Sequence, residues 1–175
     1  MPKVKRLVPV SHLICEGLLR LIEAGQKPYS EITIQDIVDE AGVCRNSFYR
    51  NFQSKEDIFQ KKFLAICMEE DLITDGNEQF DYFDILKAVC RKFQNHRRFF
   101  RCYYKADLKS YFDTITSHAI FSNAPEKAAA LSPAEYYTYA CRAWVGIGVV
   151  TEWFNRDCDI SMDDLVGIVS NIELH

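Results

Sequence analysis

Glycine and proline are scarce in this chain, 7 and 5 among 175 residues. Architectures made of many tight turns need more of both, so a turn-rich β-sandwich or barrel is disfavoured and long helices are expected. Long apolar runs are missing too. The most hydrophobic stretch, AWVGIGVVT between Arg142 and Glu152, is nine residues long, against the ~20 that a bilayer-spanning helix needs. No membrane partner is therefore expected. The seven cysteines (15, 44, 67, 90, 102, 141 and 158) include no CxxC pair, are odd in number and follow no apolar leader. Reduced, mostly buried thiols in a cytoplasmic protein are expected rather than a disulfide framework. Catalytic constellations are also lacking. His12, His96, His118 and His175 are scattered without the i, i+4 spacing of a helical metal pair, and no GxSxG, P-loop or paired-carboxylate pattern occurs. Neither an enzyme, a metal site nor a cofactor is expected.

What the sequence does have is apolar material: 48% of residues are hydrophobic and 13% aromatic, enough for a real core and too much for a disordered chain. The formal net charge of −4 argues against a polyanion partner until it is divided along the chain. Residues 1–62 hold ten Lys/Arg against eight Asp/Glu, and residues 63–175 hold eleven against seventeen. Any attraction to phosphate belongs to the N-terminal third.

Helix starts are marked by Ser/Thr-x-x-Asp/Glu boxes at Thr33/Asp36, Ser54/Asp57, Ser132/Glu135 and Ser161/Asp164, the third reinforced by Pro133. In each, the hydroxyl can accept from an orphan amide while the acid reaches back. Apolar periodicity then predicts an all-α chain with helices near 10–24, 34–41, 45–52, 55–72, 80–95, 97–112, 133–156 and 162–172, and turns at TDGNEQ and SNAPEK. No segment alternates apolar and polar residues as a strand would.

The segment AGVCRNSFYRNF carries the most chemistry. Helices 34–41 and 45–52 are joined by Gly42-Val43, the arrangement of a helix-turn-helix. The second helix is anchored by Phe48 and Phe52 alone and turns Arg45, Asn46, Ser47, Tyr49 and Arg50 outward. A helix fits the major groove, where Arg pairs with guanine O6/N7 and Asn with adenine. Tyr49, Asn51 and Lys55 suit phosphates, which set register. Spacing alone fits equally an αα-hairpin with a solvated outer face.

The stretch ITIQDIVDEAGVCRNSFYRNFQSKEDIF, residues 32–59, resembles the N-terminal DNA-binding domain of TetR-family transcriptional regulators. The resemblance rests on Thr33 before helix 2, Ala41-Gly42-Val43 in the turn, Phe48, Tyr49 and Phe52 in helix 3, and Ser54-Lys55-Glu56 opening helix 4. It covers about the first 65 residues; the remainder is similar only as an all-α regulatory domain. It implies a helix-turn-helix domain over 1–53 and a helical regulatory and dimerisation domain over 54–175. Arg45, Asn46 and Ser47 would meet bases and nearby phosphates, Tyr49, Asn51 and Lys55 the backbone. Thr33 and Gln35 would meet phosphate at the start of helix 2. The family usually has Ser where this chain has Cys44, a poorer N-cap by ~1 kcal/mol. A thiol beside Arg45 at a helix start could also have a lowered pKa.

A single short recognition helix contacts too few base pairs, so a homodimer on a palindromic double-stranded DNA site is expected. Tyr136, Ala140, Ala143, Ile147, Val150 and Phe154 recur at four-three spacing, beside a second stripe of Tyr137, Cys141, Trp144, Gly148 and Thr151. Two readings fit: a central helix buried in the monomer, or an isologous four-helix dimer contact with helix 162–172, which the resemblance favours. The dimer interface expected is Tyr136, Ala140, Ala143, Trp144, Ile147, Val150 and Phe154. The aromatic block between the two regions includes Phe83, Phe100, Tyr103, Tyr104 and Tyr111, an ordinary core by composition and an effector pocket by resemblance. The function expected is a repressor released or modulated by an effector at the C-terminal domain. The alternative is a coregulator controlled by a protein partner, because the C-terminal domain is short for the family.

Overall fold

In the computed structural model of the chain, residues 8–69, 82–108 and 131–171 are described, and among them no strand occurs. The described residues form eight α-helices: α1 Val10–Ala24, α2 Ile34–Ala41, α3 Arg45–Asn51, α4 Lys55–Cys67, α5 Tyr82–Asn95, α6 Arg97–Lys105, α7 Pro133–Asn155 and α8 Met162–Ser170. A 3-10 turn, Tyr29–Glu31, precedes α2. The all-α architecture expected from the sequence is the architecture found.

The hydroxyl at each of the four boxes caps its helix. Thr33 and Ser132 form reciprocal boxes with Asp36 and Glu135, whereas Ser54 and Ser161 accept from the amides of Asp57 and Asp164. Each satisfies an amide that would otherwise lack a helical partner. Two helices are shorter than the apolar pattern predicts. The fourth stops at Cys67 rather than near 72, and the sixth at Lys105 rather than near 112. Just past α6 the Asp107 backbone turns left-handed, at φ 54°, a conformation Asp tolerates better than most side chains. The turns TDGNEQ and SNAPEK and the stretch 109–112 lie outside the described residues.

The chain divides into two compact units, residues 1–69 with 97–108, and residues 70–96 with 109–175. The expected boundary at 53/54 falls inside the first. There α1 lies against α2, α3, α4 and α6, and its buried stripe is Ile14, Cys15, Leu18, Leu19 and Ile22. The α1–α2 approach is close. A Cβ added at Gly17 would stand 3.1 Å from the Ala41 Cβ, the Ala41 nitrogen and the Ile37 carbonyl. An aromatic cluster ties α4 to α6: Phe59 meets Phe99 and Tyr103 at 5.6 and 5.5 Å, and Phe63 meets Phe100 at 6.4 Å between centroids. Such edge-to-face pairs contribute beyond their buried area. Outside this cluster, Arg98 of α6 grips both Glu16 and Glu23 of α1.

In the second unit α5 packs on α7 and α8. Phe93 meets Phe154 edge-on at 5.5 Å, and Trp153 donates its indole N–H to the Ile160 carbonyl at 2.9 Å. Ile147, Val150, Trp153 and Phe154 from α7 are buried with Leu165, Val166 and Val169 from α8. No disulfide is formed. Of the thiols expected to be mostly buried, Cys15, Cys90 and Cys102 are, and burial pushes each up to about 11. Cys44 and Cys141 are exposed.

Candidate nucleic-acid interface

The α2–turn–α3 segment is built from local signals. Gly42 adopts φ 66° and its amide reaches back to the carbonyls of α2, a left-handed closure that costs a residue with a Cβ ~1–2 kcal/mol. Val43 donates to the Val38 carbonyl at 3.0 Å, completing the turn. Phe48 and Phe52 are both buried and 5.9 Å apart, so α3 is fixed from one side only. The other side is open: Arg45, Asn46, Tyr49 and Arg50 are exposed.

Within that open face the side chains are not independent. Arg45 Nη2 donates to the Tyr49 hydroxyl at 3.3 Å, and its guanidinium lies 5.8 Å from the Tyr49 ring centroid. Tyr49 is in turn set edge-on against Phe48 at 5.5 Å. The outward arginine is thus held along the helix by an aromatic neighbour that is itself anchored to the core. Asn51 donates to the Ser47 carbonyl at 2.7 Å, one turn back.

At the start of α2, Thr33 is occupied by its own cap. Its hydroxyl accepts from Asp36 N at 3.2 Å and donates to Asp36 Oδ2 at 2.6 Å. The Lys27 ammonium, 2.6 Å away, and the Thr33 hydroxyl hold the Asp36 carboxyl well below the usual carboxylate range. Gln35 is exposed and bonds Asp39 at 2.8 Å. On the flank, Arg20 of α1 holds Glu40 of α2 through both its carboxylate (2.6 Å) and its carbonyl (2.9 Å). These braces join residues 9 and 20 positions apart, so periodicity gives no sign of them.

Lys55, expected at the DNA backbone, is engaged within the chain. Its ammonium donates to the carbonyls of Tyr29, Ser30 and Ile32 at 2.7, 3.1 and 3.0 Å. A lysine has three donors, and each has a carbonyl partner within the chain.

Cys44 is the N-cap of α3 and forms no cap bond to a backbone amide. Its sulfur lies 3.2 Å from the Ser47 hydroxyl. That hydroxyl, with the amides of the first turn, lowers the thiol from its ordinary value, as expected of a thiol at a helix start.

The residues expected at a dimer contact separate into two groups. Ile147, Val150 and Phe154 are buried within the chain itself. Trp144 (48% exposed) and Tyr136 are open, and Ala140 is half-buried; of Ala143 only the helical backbone is described. The open surface follows the second stripe: Tyr137 (68%), Cys141, Trp144 and Gly148, with Ile168 of α8 (55%) as an apolar residue that the sequence reading passed over. Among the expected pocket residues, Phe100 and Tyr103 are core of the first unit and Tyr104 is half-buried there. Phe83 belongs to the second unit, and Tyr111 lies outside the described residues. Among the described residues no helix is long and apolar enough to cross a membrane.

Residues 21–61 match bacterial regulatory proteins of the tetR family. No curated protein matches the chain. Solved structures do: the Listeria innocua protein Lin0861 (19% identity, TM-score 0.69, covering 94% of this chain and 91% of that one), and the dihydroxyacetone kinase operon activator DhaS (19%, 0.59, 93% of each). A third is the fatty acid degradation regulator FadR from Bacillus halodurans (18%, 0.55, 98% and 100%). At these identities the structures establish the fold. The match at residues 21–61 spans the α2–turn–α3 segment, so this segment is similar to the DNA-binding part of tetR-family regulatory proteins, and the rest of the chain shares the fold of these structures.

Proposed function

We propose that the protein acts as a homodimer that places α3 of each protomer in successive major grooves of a palindromic operator and represses transcription by occupying it. The observation that carries this reading is α3 itself, anchored by Phe48 and Phe52 and presenting Arg45, Asn46 and Tyr49 outward. Arg45 and Asn46 are the base-reading residues, with Ser47, Tyr49 and Asn51 beside them against the backbone, and the α2 start at Thr33 and Gln35 offers its dipole to phosphate. Dimerisation is supported by the exposed apolar side chains of Tyr137 and Trp144 on α7 and of Ile168 on α8. An effector at the C-terminal domain releases the operator by favouring a state in which the two reading heads no longer match its half-sites.

A second reading is activation, the role named for DhaS, an operon activator similar in fold over 93% of both chains, under the control of a protein partner. It also agrees with Phe100 and Tyr103 filling a core rather than lining a cavity. Fluorescence anisotropy of purified protein on duplexes from its own promoter region tests DNA binding, with saturable, sequence-dependent binding expected at low salt. Binding no tighter than to random duplex would sink both readings. A promoter-reporter strain with and without the gene then separates repression from activation.

A further inference from the structure

The role of Lys55 can be carried further, resting on the DNA-binding reading above. Lys55 opens α4, yet its ammonium reaches back to three carbonyls in the turn before α2, those of Tyr29, Ser30 and Ile32. The same ammonium stands 4.4 Å from the Tyr29 ring centroid. The Tyr29 hydroxyl donates to Glu56 Oε1 at 3.0 Å, and its ring meets the buried Phe59 at 5.9 Å. The turn 29–32 is therefore fastened to the first turn of α4 by a cation, a hydroxyl and an aromatic ring.

Three carbonyl oxygens converging on one point repel one another unless a cation sits between them. The conformation of this turn thus depends on Lys55. The next residue, Thr33, is the N-cap of α2, and Gln35 follows within the first turn. We propose that Lys55 is a positioning residue. It fixes the 29–32 turn and through it the attitude of the α2 start toward DNA, and it makes no phosphate contact of its own.

A phosphate contact and a positioning role differ in salt dependence. Each lost phosphate contact reduces the slope of log K against log salt by about 0.9, hence about 1.8 for a dimer. Lys55→Gln is expected to weaken binding to operator and random duplex alike, by at least about fivefold, with the slope unchanged. A fall in slope of the size given above would overturn the inference. Lys55→Gln combined with Gln35→Ala is expected to cost less than the two single losses together, since both act at the α2 start. Strict additivity would overturn the route through α2. Independently of DNA, amide exchange at Asp36 and Ile37 is expected to quicken in Lys55→Gln while that at Phe63 and Ile66 stays slow. Unchanged exchange at all four positions would overturn the cap itself, whereas quickened exchange at Asp36 and Ile37 in the variant of a protein that binds no DNA would fault the DNA-binding reading alone.

Discussion

Tyr49 and Cys44 show how much of α3 is decided by single side chains. Tyr49 accepts from Arg45 and lies under its guanidinium, so it contributes to aiming the arginine as well as to the outer face. Arg45→Ala is expected to relax preference at one base position and cost about 1–3 kcal/mol on the preferred operator. Tyr49→Phe removes the acceptor, so its effect should shrink once Arg45 is already Ala; a double-mutant cycle on operator affinity measures that coupling. Full additivity would mean that the two residues act separately. At Cys44 the missing cap bond leads to a different expectation. Cys44→Ser should raise stability by ~0.5–1 kcal/mol in thermal unfolding, because a hydroxyl caps better than a thiol. Ser47→Ala should return the Cys44 thiol toward its ordinary value, read as a rise in the midpoint of its alkylation rate against pH.

Helices meet where the sequence allows them to come close, and Gly17 is where α1 and α2 do so. Its three neighbours at 3.1 Å include two backbone atoms, which cannot swing aside. Gly17→Ala should therefore separate α1 from α2 and destabilise by about 1–3 kcal/mol; an unchanged melting temperature would show that the helices slide apart freely. The α2 start adds a pH dependence. Because the folded Asp36 carboxyl is held below its unfolded value near 4, its stabilisation is present above about pH 4. That stabilisation is lost as pH falls toward the lower folded value. Asp36→Asn should lower the melting temperature at pH 7 and flatten its acid limb below about pH 4. These elements were largely legible beforehand: Thr33, Ser54, Ser132 and Ser161 each announce a helix that exists, since a cap is a local interaction. The early end of α6 was not, because Asp107 adopts its left-handed turn without a glycine or proline to mark it. Nor was the membership of α6 in the first unit, which depends on Phe99, Phe100 and Tyr103 meeting Phe59 and Phe63 about forty residues away. For the same reason the three carbonyl partners of the Lys55 ammonium, 23 to 26 positions away, leave no sign in the sequence.

For the whole molecule, the open question set by the second unit is what covers Tyr137, Trp144 and Ile168. Four-three spacing identified α7 as apolar on adjacent faces but could not say which face turned inward. Phe93 of α5 takes the one bearing Phe154, and this leaves the neighbouring stripe outside. An isologous contact of α7 and α8 would bury that stripe against its own copy. In the proposed dimer Trp144→Glu would place a charge against the partner's apolar surface, with little cost to the separate chain because Trp144 is already 48% exposed. If the proposed dimer forms, sedimentation velocity should show the wild type as a dimer and this variant as a monomer at the same concentration. Its affinity for a full operator should fall by at least about 100-fold, since the second head no longer binds at a high effective concentration. Binding to an isolated half-site should change little, because α3 and its anchors lie in the other unit. Ile168→Glu, on α8, should give the same pattern. A dimeric Trp144→Glu with wild-type operator affinity would move the dimer contact away from this stripe and leave its exposed aromatics to another partner.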